Sequence, residues 1–317
     1  MKIVTMGELL IDLTQIGEGD GVPVYAANPG GAPANVAVAA SLSGADAAFI
    51  GKVGNDAFGE QLINTLKSKN VDISGIIKDN ERRTTLATVS LDEKGERSFA
   101  FYRSGCADIN MSADELSYAL IEKADIFHFG SVSLTDEPSA SATRQAVIHA
   151  KNSGAIITYD PNYRPLLWPN EETAKAEMHD VLKYVDIIKA SDEEAFMLTD
   201  TKDAESAAKA LLKIGIKIVL VTLGDKGAYF ASENACGSVD AFTGKVADTN
   251  GAGDTFFGNF LARADNLNSL CKNTDGALEN AVRFACAAAG LSTGRSGAIP
   301  SMPTKAETEA FMNSYVK

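Results

Sequence analysis

The sequence contains little cysteine and histidine, and it lacks both a long hydrophobic run and an excess of positive charge. Its 317 residues include four cysteines and three histidines, and the cysteines are far apart with no Cys-x-x-Cys pair. We therefore expect neither a disulfide framework nor a zinc site, and we expect a protein of the reducing cytoplasm. No apolar run approaches the length needed to span a membrane. Acidic residues occur too early at the N-terminus for a signal peptide.

The charge balance excludes further classes of partner. The formal net charge is −13 at pH 7, which argues against sequence-independent binding to nucleic acid or to an anionic membrane surface. An anionic small molecule is not excluded, because a local basic cluster can hold one on an acidic protein. Hydrophobic residues make up 45% and charged residues 22% of the chain, which is typical of globular proteins. The length fits two domains or one large α/β domain with a small insertion.

Short apolar runs alternate with segments of helical periodicity along the chain. The apolar runs predict buried strands at Lys2–Met6, Ala47–Gly51, Asp125–Phe129, Ala155–Tyr159, Val185–Lys189 and Ile216–Thr222. Helices are predicted between strands at Phe58–Lys69, Ser139–Asn152, Glu171–Lys183 and Asp203–Ile214. This alternation indicates βαβ units with right-handed crossovers, and therefore an α/β fold with a mostly parallel sheet.

Two regions interrupt the alternation. Thr14–Pro29 is rich in glycine and contains a short alternating piece, Val22–Tyr25. Thr84–Leu91 and Glu96–Arg103 are rich in Thr, Val and Phe, and the turn residues Asp92–Gly95 separate them, which predicts a β-hairpin. Such extra strands are typical either of a lid over the carboxyl ends of the main strands or of an edge hairpin without a functional role. The residues alone leave both interpretations open.

A glycine-rich turn at Asp248–Gly258 carries the strongest chemical signal. No Walker motif is present, so phosphate groups would have to be bound in another way. Gly251 and Gly253 allow a tight turn with free N–H groups at the start of a helix, and such a helix start attracts anions. Asp254 follows at a position suited to a general base that accepts a hydroxyl proton during phosphoryl transfer. An ordinary helix start capped by Asp254 remains the alternative.

A second glycine-rich turn lies at Gly30–Ala37. The paired glycines allow the backbone to approach a ligand closely, and Pro33 suits the first turn of a helix. Asn35 carries a donor and an acceptor on one amide, a combination that binds sugar hydroxyls well. The same residues also fit a simple loop-to-helix junction with Asn35 facing solvent.

Together these segments resemble the two signatures of the ribokinase-like (PfkB) carbohydrate kinase family. Gly30–Gly59 is similar to the N-terminal signature and Asp248–Phe260 to the C-terminal one, while Gly7–Asp12 is similar to the first strand and its substrate aspartate. The resemblance implies a single domain over residues 1–317, built as a ribokinase-like αβα sandwich. It also implies a small β-sheet lid formed by roughly residues 14–30 and 72–107, and sugar phosphorylation by ATP with Mg²⁺.

The resemblance also implies roles for particular residues. Asp254 would be the catalytic base, and the anion hole for the transferring phosphoryl group would be formed by Gly251, Ala252 and Gly253. The sugar would be bound by Asp12, Gly31, Asn35 and Arg103 from the lid, and Arg164 would lie beside the sugar or the phosphates. The nucleotide side would consist of Lys189, Glu194, Thr222, Gly224 and Gly227, and Asn280 and Ala287 would flank the adenine.

One departure from the family pattern concerns the metal. The family's Asn-x-x-Glu pattern appears here as Ser191–Glu194, so Glu194 keeps its place and Ser191 replaces the amide. The resemblance assigns Glu194 to water-bound Mg²⁺. Asp248 resembles the start of the family's potassium loop, which extends the expected cofactors to K⁺.

Within the family, the chain most resembles the bacterial and plant fructokinases. Stretches at Phe101–Arg103, Phe127–Ser131, Leu134–Pro138 and Tyr159–Pro169 support this, and they imply phosphorylation of the 6-hydroxyl of D-fructose. Alternatives are a 2-keto-3-deoxygluconate kinase, an aminoimidazole riboside kinase and a non-catalytic regulator that binds sugar or nucleotide. An exposed edge of the lid sheet could pair with a second copy, so a homodimer through the lid is also expected.

Overall fold

A computed structural model describes residues 1–91 and 97–315. The predicted turn at Asp92–Gly95 and the adjoining Glu96 lie outside these ranges. The strands are β1 Lys2–Met6, β2 Leu10–Gly19, β3 Val22–Gly30, β4 Asp46–Gly54, β5 Asp72–Asp79, β6 Leu86–Leu91, β7 Arg97–Tyr102, β8 Ile126–Gly130, β9 Ile156–Asp160, β10 Ile187–Ser191, β11 Ile218–Thr222, β12 Ala228–Ser232 and β13 Cys236–Val239. The helices are α1 Ala32–Leu42, α2 Ala57–Ser68, α3 Tyr118–Ile121, α4 Ser139–Asn152, α5 Glu171–Asp180, α6 Asp192–Thr199, α7 Ala204–Ile214, α8 Ala252–Leu261, α9 Leu267–Lys272, α10 Ala277–Ser292, α11 Ala298–Ser301 and α12 Lys305–Ser314.

The larger sheet contains all six strands that the apolar runs predict. Within the described ranges its order is β13-β12-β11-β10-β9-β8-β1-β4-β5. Neighbouring strands are parallel from β11 to β5, and the pairs β11–β12 and β12–β13 are antiparallel. The predicted α/β fold with a mostly parallel sheet is confirmed. The sequence did not predict β12 and β13.

The strand order places a crevice beside β1. From β1 the chain proceeds through β4 and β5 to one edge, and it later returns on the other side of β1 as β8, β9, β10 and β11. In open α/β sheets, ligands bind outside the carboxyl ends of the strands at such a reversal of order. The functional site of this chain is therefore expected at the carboxyl ends of β1 and β8.

Apolar side chains on both faces of the strands produce three layers. Because successive strand residues point to opposite faces, Val4 joins a buried cluster with Ala146 of α4 and Leu211 of α7. Its neighbour Ile3 joins another cluster with Phe257 of α8. The sheet is thus covered by helices on both faces. In the described part of the chain, no helix has the length and apolar character required to cross a membrane.

The smaller sheet lies outside these layers and matches the predicted lid only in part. Its order is β3-β2-β6-β7, in which β2–β3 and β6–β7 are hairpins and β2 and β6 run parallel. The expected lid segment 72–107 is wrong in its first part, since Asp72–Asp79 forms β5 and pairs with β4 in the larger sheet. This strand follows α2 directly and completes a βαβ unit, which returns it to the parallel sheet.

Close contact between α1 and α8 aligns two helix starts. A Cβ atom at Gly258 would lie 2.6 Å from both the carbonyl oxygen of Val36 and the Cβ of Ala39. Only glycine permits this approach of one helix backbone to the other. The two glycine-rich turns identified in the sequence precede these helices and are therefore brought together at the crevice.

Candidate active site

Two cavities open at the carboxyl ends of the central strands. The first, here called the polar cavity, has a volume of about 300 Å³ and lies between the lid and the main sheet. Its lining includes Glu8, Asp12, Gly31, Asn35, Arg164, Lys189, Asn250 and Asp254. The second, here called the apolar cavity, has a volume of about 360 Å³ and lies between the β11–β12 turn, α8 and α10. Most of the predicted site residues therefore meet in two adjoining spaces.

The start of α8 forms the boundary between the two cavities. Thr249, Ala252 and Gly253 line both of them. Gly251 precedes the helix in the left-handed region with φ 72°, and no side chain caps the first turn. Uncapped N–H groups and the positive end of the helix dipole make this turn a suitable site for an anion.

Asp254 is buried in the first turn of α8 and faces the polar cavity. Its Oδ2 accepts a hydrogen bond of 2.8 Å from the side-chain amide of Asn35 in α1. Burial raises the pKa of Asp254 to about 6, and the negative charge of Asp160 adds to the rise. The Asn35 bond and the charges of Lys189 and Arg164 oppose it. A carboxylate with this pKa is ionised at neutral pH and is more basic than an ordinary aspartate.

Lys189 provides a buried positive charge beneath the α8 turn. Its ammonium binds Asp160 Oδ2 at 2.9 Å, and both side chains are buried. A Cβ at Gly253 would lie 2.9 Å from the Lys189 Nζ, so the ammonium closely approaches the backbone of the α8 turn. Burial would lower the pKa of Lys189, but the carboxylates of Asp160, Glu194 and Asp254 raise it on balance. Lys189 is therefore charged and lies against the predicted anion hole.

Asp12 brings a carboxylate from the lid strand β2 into the polar cavity. Burial raises the pKa of Asp12 to about 6, while the positive charge of Arg164 and a hydrogen bond from Asn250 oppose the rise. Arg164 is exposed at the cavity wall. The lid thus contributes an acceptor that faces the turn before α8.

Gly31 occupies a position that only glycine can take. Its φ is 110°, and a Cβ there would lie 2.3 Å from the carbonyl oxygen of Glu8. Its backbone lines the polar cavity at the start of α1. Asp12, Gly31, Asn35, Arg164 and Asp254 therefore line one space.

The structure does not bring Arg103 into this space. Its guanidinium donates to Asp108 Oδ2 at 2.7 Å, to Thr135 Oγ1 at 2.6 Å and to the Val132 carbonyl at 3.0 Å. All three side-chain nitrogens are thereby engaged in a buried site at the end of β7. Arg103 joins the lid to the body of the protein, and the expectation that it reaches the sugar is corrected.

The apolar cavity contains three of the predicted nucleotide-side residues. Thr222, Gly224 and Gly227 line it together with Phe242 and Cys286. These side chains form a mainly apolar space beside the α8 turn, which suits a flat aromatic base near a phosphate group.

Two residues predicted to flank the adenine lie elsewhere. Asn280 is exposed and lines a separate cavity with Arg263 and Met312. Ala287 is fully buried in the core. The face of α10 that lines the apolar cavity instead carries Cys286, Ala289 and Gly290, because only part of a helix can face one space.

Glu194 lies beneath the site. It forms a capping box with Ser191 at the start of α6. Its Oε1 accepts from the Tyr163 N–H at 2.7 Å and its Oε2 from the Ser191 N–H at 2.8 Å. Each oxygen keeps a lone pair for a water molecule. Ser191 thus preserves the helix cap that holds Glu194.

Asp248 bridges two loops. Its Oδ1 accepts from the Asn250 N–H and its Oδ2 from the Gly297 N–H, both at 3.0 Å. The residues of 1–91 and 97–315 contain no group of three or more His, Cys, Asp or Glu side chains arranged to hold a metal ion.

Sequence reasoning missed two acidic residues of the site. Glu8 lines the polar cavity, and burial raises its pKa to about 7. Asp160 is the partner of Lys189. Both lie at or just after the carboxyl end of a predicted strand, and that position was the available signal.

The chain is similar to known carbohydrate kinases over nearly its whole length. The family model for pfkB family carbohydrate kinase matches residues 1–305. Probable fructokinase-3 from Arabidopsis thaliana is 41% identical over 319 residues, covering 99% of this chain and 92% of that protein. The fructokinase with bound ATP from Xylella fastidiosa is 33% identical with a TM-score of 0.91, covering 99% of this chain and 98% of that one. The Vibrio cholerae O395 fructokinase bound to fructose, ADP and calcium ion is 33% identical with a TM-score of 0.86 and 98% coverage of both chains.

The buried charge of Asp254 generates a prediction about stability. Since its pKa rises from 3.8 to about 6 on folding, ionisation of this group favours the unfolded state, and its cost to stability grows as pH rises from about 4 to 6. Asp254→Asn removes that cost. We therefore expect the difference in unfolding free energy between the variant and wild type to grow in favour of the variant by about 1–2 kcal/mol from pH 5 to pH 8. Thermal unfolding of both proteins at the two pH values measures this, and an unchanged difference would show that Asp254 is not desolvated.

Proposed function

Because the chain belongs to the pfkB family of carbohydrate kinases, we propose that it transfers the γ-phosphoryl group of ATP to the 6-hydroxyl of D-fructose. The observation that carries this proposal is the position of Asp254. It lies in the polar cavity and directly follows Ala252 and Gly253, which line both cavities. A base is thus placed where a hydroxyl and a phosphoryl group would meet.

ATP would occupy the apolar cavity. Its base would pack between Phe242 and the α10 face at Cys286, and its phosphates would extend toward the N–H groups of Gly251–Gly253. ATP bound to the Xylella fastidiosa fructokinase supports the use of ATP by this chain. Because the four cysteines are unpaired thiols, we place the reaction in the cytoplasm.

Fructose would occupy the polar cavity. Asp12 and Asn35 offer acceptors and a donor for its hydroxyls, and the Gly31 backbone lies beside them. Fructose bound to the Vibrio cholerae fructokinase supports a fructose-binding role. The 6-hydroxyl would face Asp254.

In the reaction, Asp254 accepts the proton of the 6-hydroxyl as the hydroxyl oxygen bonds to the γ-phosphorus. The bond between that phosphorus and the β–γ bridging oxygen breaks, and ADP leaves with the electron pair. The N–H groups of Gly251–Gly253 and the ammonium of Lys189 stabilise the charge on the γ-phosphoryl oxygens. The lid would exclude water from this step.

The residues fit Mg²⁺ that is held mainly by ATP and water. This preference for phosphate and water oxygens is usual for Mg²⁺, and the described residues offer no direct protein cage. Glu194 would hold a metal-bound water through its remaining lone pairs. When bound, the ion neutralises phosphate charge. A K⁺ ion would bind at the loop of Asp248, whose carboxylate is an oxygen donor suited to such a cation.

The charges of the polar cavity favour a neutral sugar over ketodeoxygluconate. The carboxylate of Asp12 would repel that of the acid sugar. Arg103, the second arginine that might have offset the repulsion, is engaged with Asp108. Arg164 remains at the cavity wall. A neutral ketose needs only hydroxyl partners, which Asp12 and Asn35 supply.

The lid also supports a proposal of a homodimer. Ile16 is 65% and Val22 is 63% exposed, and Val24 lies on the same face of β3 as Val22. A second lid would cover these apolar side chains.

Light scattering at assay concentration tests the assembly. We expect twice the 33.4 kDa mass of one chain, because the exposed apolar residues of the lid would then be buried. A mass equal to one chain at every concentration would refute the dimer and leave the kinase proposal unaffected.

Asp254→Asn tests the base. We expect kcat to fall about 10²-fold or more, with the KM values for sugar and ATP within about threefold of wild type because the fold is kept. Wild-type kcat should decline as pH falls below about 6, where Asp254 takes up a proton. The residual kcat of the variant should not show this decline. Near wild-type turnover by the variant would show that Asp254 is not the base.

A sugar panel tests the substrate. In a coupled ADP assay with fructose, ketodeoxygluconate, aminoimidazole riboside, ribose and glucose, we expect fructose to have the highest kcat/KM. Asp12→Ala should raise the KM for fructose by about 10-fold to 100-fold, because sugar hydroxyls lose their acceptor. Arg164→Ala serves as the comparison variant and should lower kcat/KM for ketodeoxygluconate more than kcat/KM for fructose. A wild-type preference for ketodeoxygluconate would overturn the fructose assignment while retaining the kinase.

A further inference from the structure

Glu8 is a buried acid in the polar cavity that the reaction described above does not use. It lies two residues after the end of β1 and is 4% exposed. Its Oε1 accepts the Ala32 N–H at 2.8 Å, and its Oε2 has no hydrogen-bond partner within the described residues. Burial raises the pKa of Glu8 to about 7, although Arg103 and the backbone N–H of Ala32 act in the other direction. A buried carboxyl with an unpaired oxygen is costly to folding, which suggests a functional reason for its presence.

Helix α1 begins without a side-chain cap of its own. Its N-cap residue is Gly31, which has no side chain, and Pro33 in the first turn has no N–H. The Ala32 N–H belongs to the groups at a helix start that lack an intrahelical acceptor. Glu8 supplies this acceptor from another part of the chain, as Ser or Asp does at an ordinary N-cap.

Backbone packing also holds the start of α1 against the segment that follows β1. Gly31 has a φ of 110°, and a Cβ there would meet the Glu8 carbonyl oxygen at 2.3 Å. The end of β1 and the start of α1 are therefore in direct contact, through the backbone at Gly31 and through the side chain of Glu8 at Ala32.

The first turn of α1 connects the junction at Glu8 with the proposed base Asp254. The Asn35 N–H donates to the Gly31 carbonyl at 2.8 Å, and the Asn35 side chain donates to Asp254 at 2.8 Å. The hydrogen bonds thus run from Glu8 through one helical turn to Asp254. No residue of α1 lines the apolar cavity in the described parts of the chain.

Building on the proposed sugar kinase activity, we propose that Glu8 is a positioning residue whose carboxyl fixes the first turn of α1, so that Gly31 and Asn35 bind the sugar and Asn35 holds Asp254. Loss of the carboxyl frees this turn to move. Sugar binding is then weakened more than ATP binding, because α1 contributes to the polar cavity alone. A residue that only stabilised the fold would affect both substrates alike.

Substitution of Glu8 tests this, with KM values measured on the sugar that wild type phosphorylates fastest. We expect Glu8→Ala to raise the sugar KM about tenfold or more, as loss of a helix cap would allow, with the ATP KM within about twofold. Glu8→Gln keeps the acceptor at Oε1 and should remain within about threefold of wild type. Glu8→Met, which fills the volume without an acceptor, replaces the Ala variant if that variant does not fold. Glu307→Ala removes a comparable cap from α12, away from both cavities, and should leave the sugar KM unchanged.

A double-mutant cycle with Asn35→Ala gives the decisive result. If Glu8 acts through α1, removal of both side chains should raise the sugar KM little beyond Asn35→Ala alone. Additive effects, equal rises in both KM values, or a Gln variant as impaired as Ala would overturn the positioning role. Calorimetry of sugar binding to wild type separates failure of the positioning role from failure of the proposed function. A wild-type chain that neither binds nor phosphorylates any sugar refutes the kinase proposal and the positioning role together, whereas a wild-type chain that does both leaves the kinase proposal intact.

Discussion

One lysine ammonium faces three buried carboxylates at the centre of this protein, and the site depends on that imbalance. Lys189 binds Asp160 directly at 2.9 Å, while Glu194 and Asp254 act on it through space. One positive charge cannot fully offset three buried negative charges. Burial raises the pKa of Asp254, the negative charge of Asp160 adds to the rise, and Lys189 offsets only part of it, so Asp254 is a better base than an exposed aspartate. The uncapped start of α8 and the close approach of Lys189 to Gly253 then supply the positive field that an incoming phosphoryl group requires.

Sequence patterns were sufficient for six adjacent strands of the larger sheet and for the pair Asn35 and Asp254. The bounds of β1 and α4 are those predicted from periodicity, because apolar runs buried on both faces and long amphipathic segments have few alternative structures. Asn35 and Asp254 are 219 positions apart and nevertheless form one hydrogen bond. Each was predicted from a glycine-rich turn that begins a helix. Two such turns at carboxyl ends of parallel strands are brought to the same crevice by topology.

Other features depend on side-chain direction and burial, which the linear pattern does not contain. Arg103 was expected in the sugar site, but Asp108 lies five residues along the chain and captures its guanidinium. Asn280 was expected beside the adenine, but it lies on a face of α10 that does not line the apolar cavity. Glu8 gave no sequence signal beyond its position after β1, because its role depends on a tertiary hydrogen bond to Ala32. The lid was predicted as a hairpin insertion, and its parallel pairing of β2 with β6 required the structure.

The central claim, that burial makes Asp254 an unusually basic carboxylate, is tested most directly by measuring its ionisation. Carbon-13 labelling of aspartate side chains allows their titration to be followed by NMR, and Asp254→Asn identifies the resonance. We expect a carboxyl that titrates near pH 6 in wild type and is absent from the variant. A titration of Asp254 near its ordinary value of about 3.9 would contradict the account.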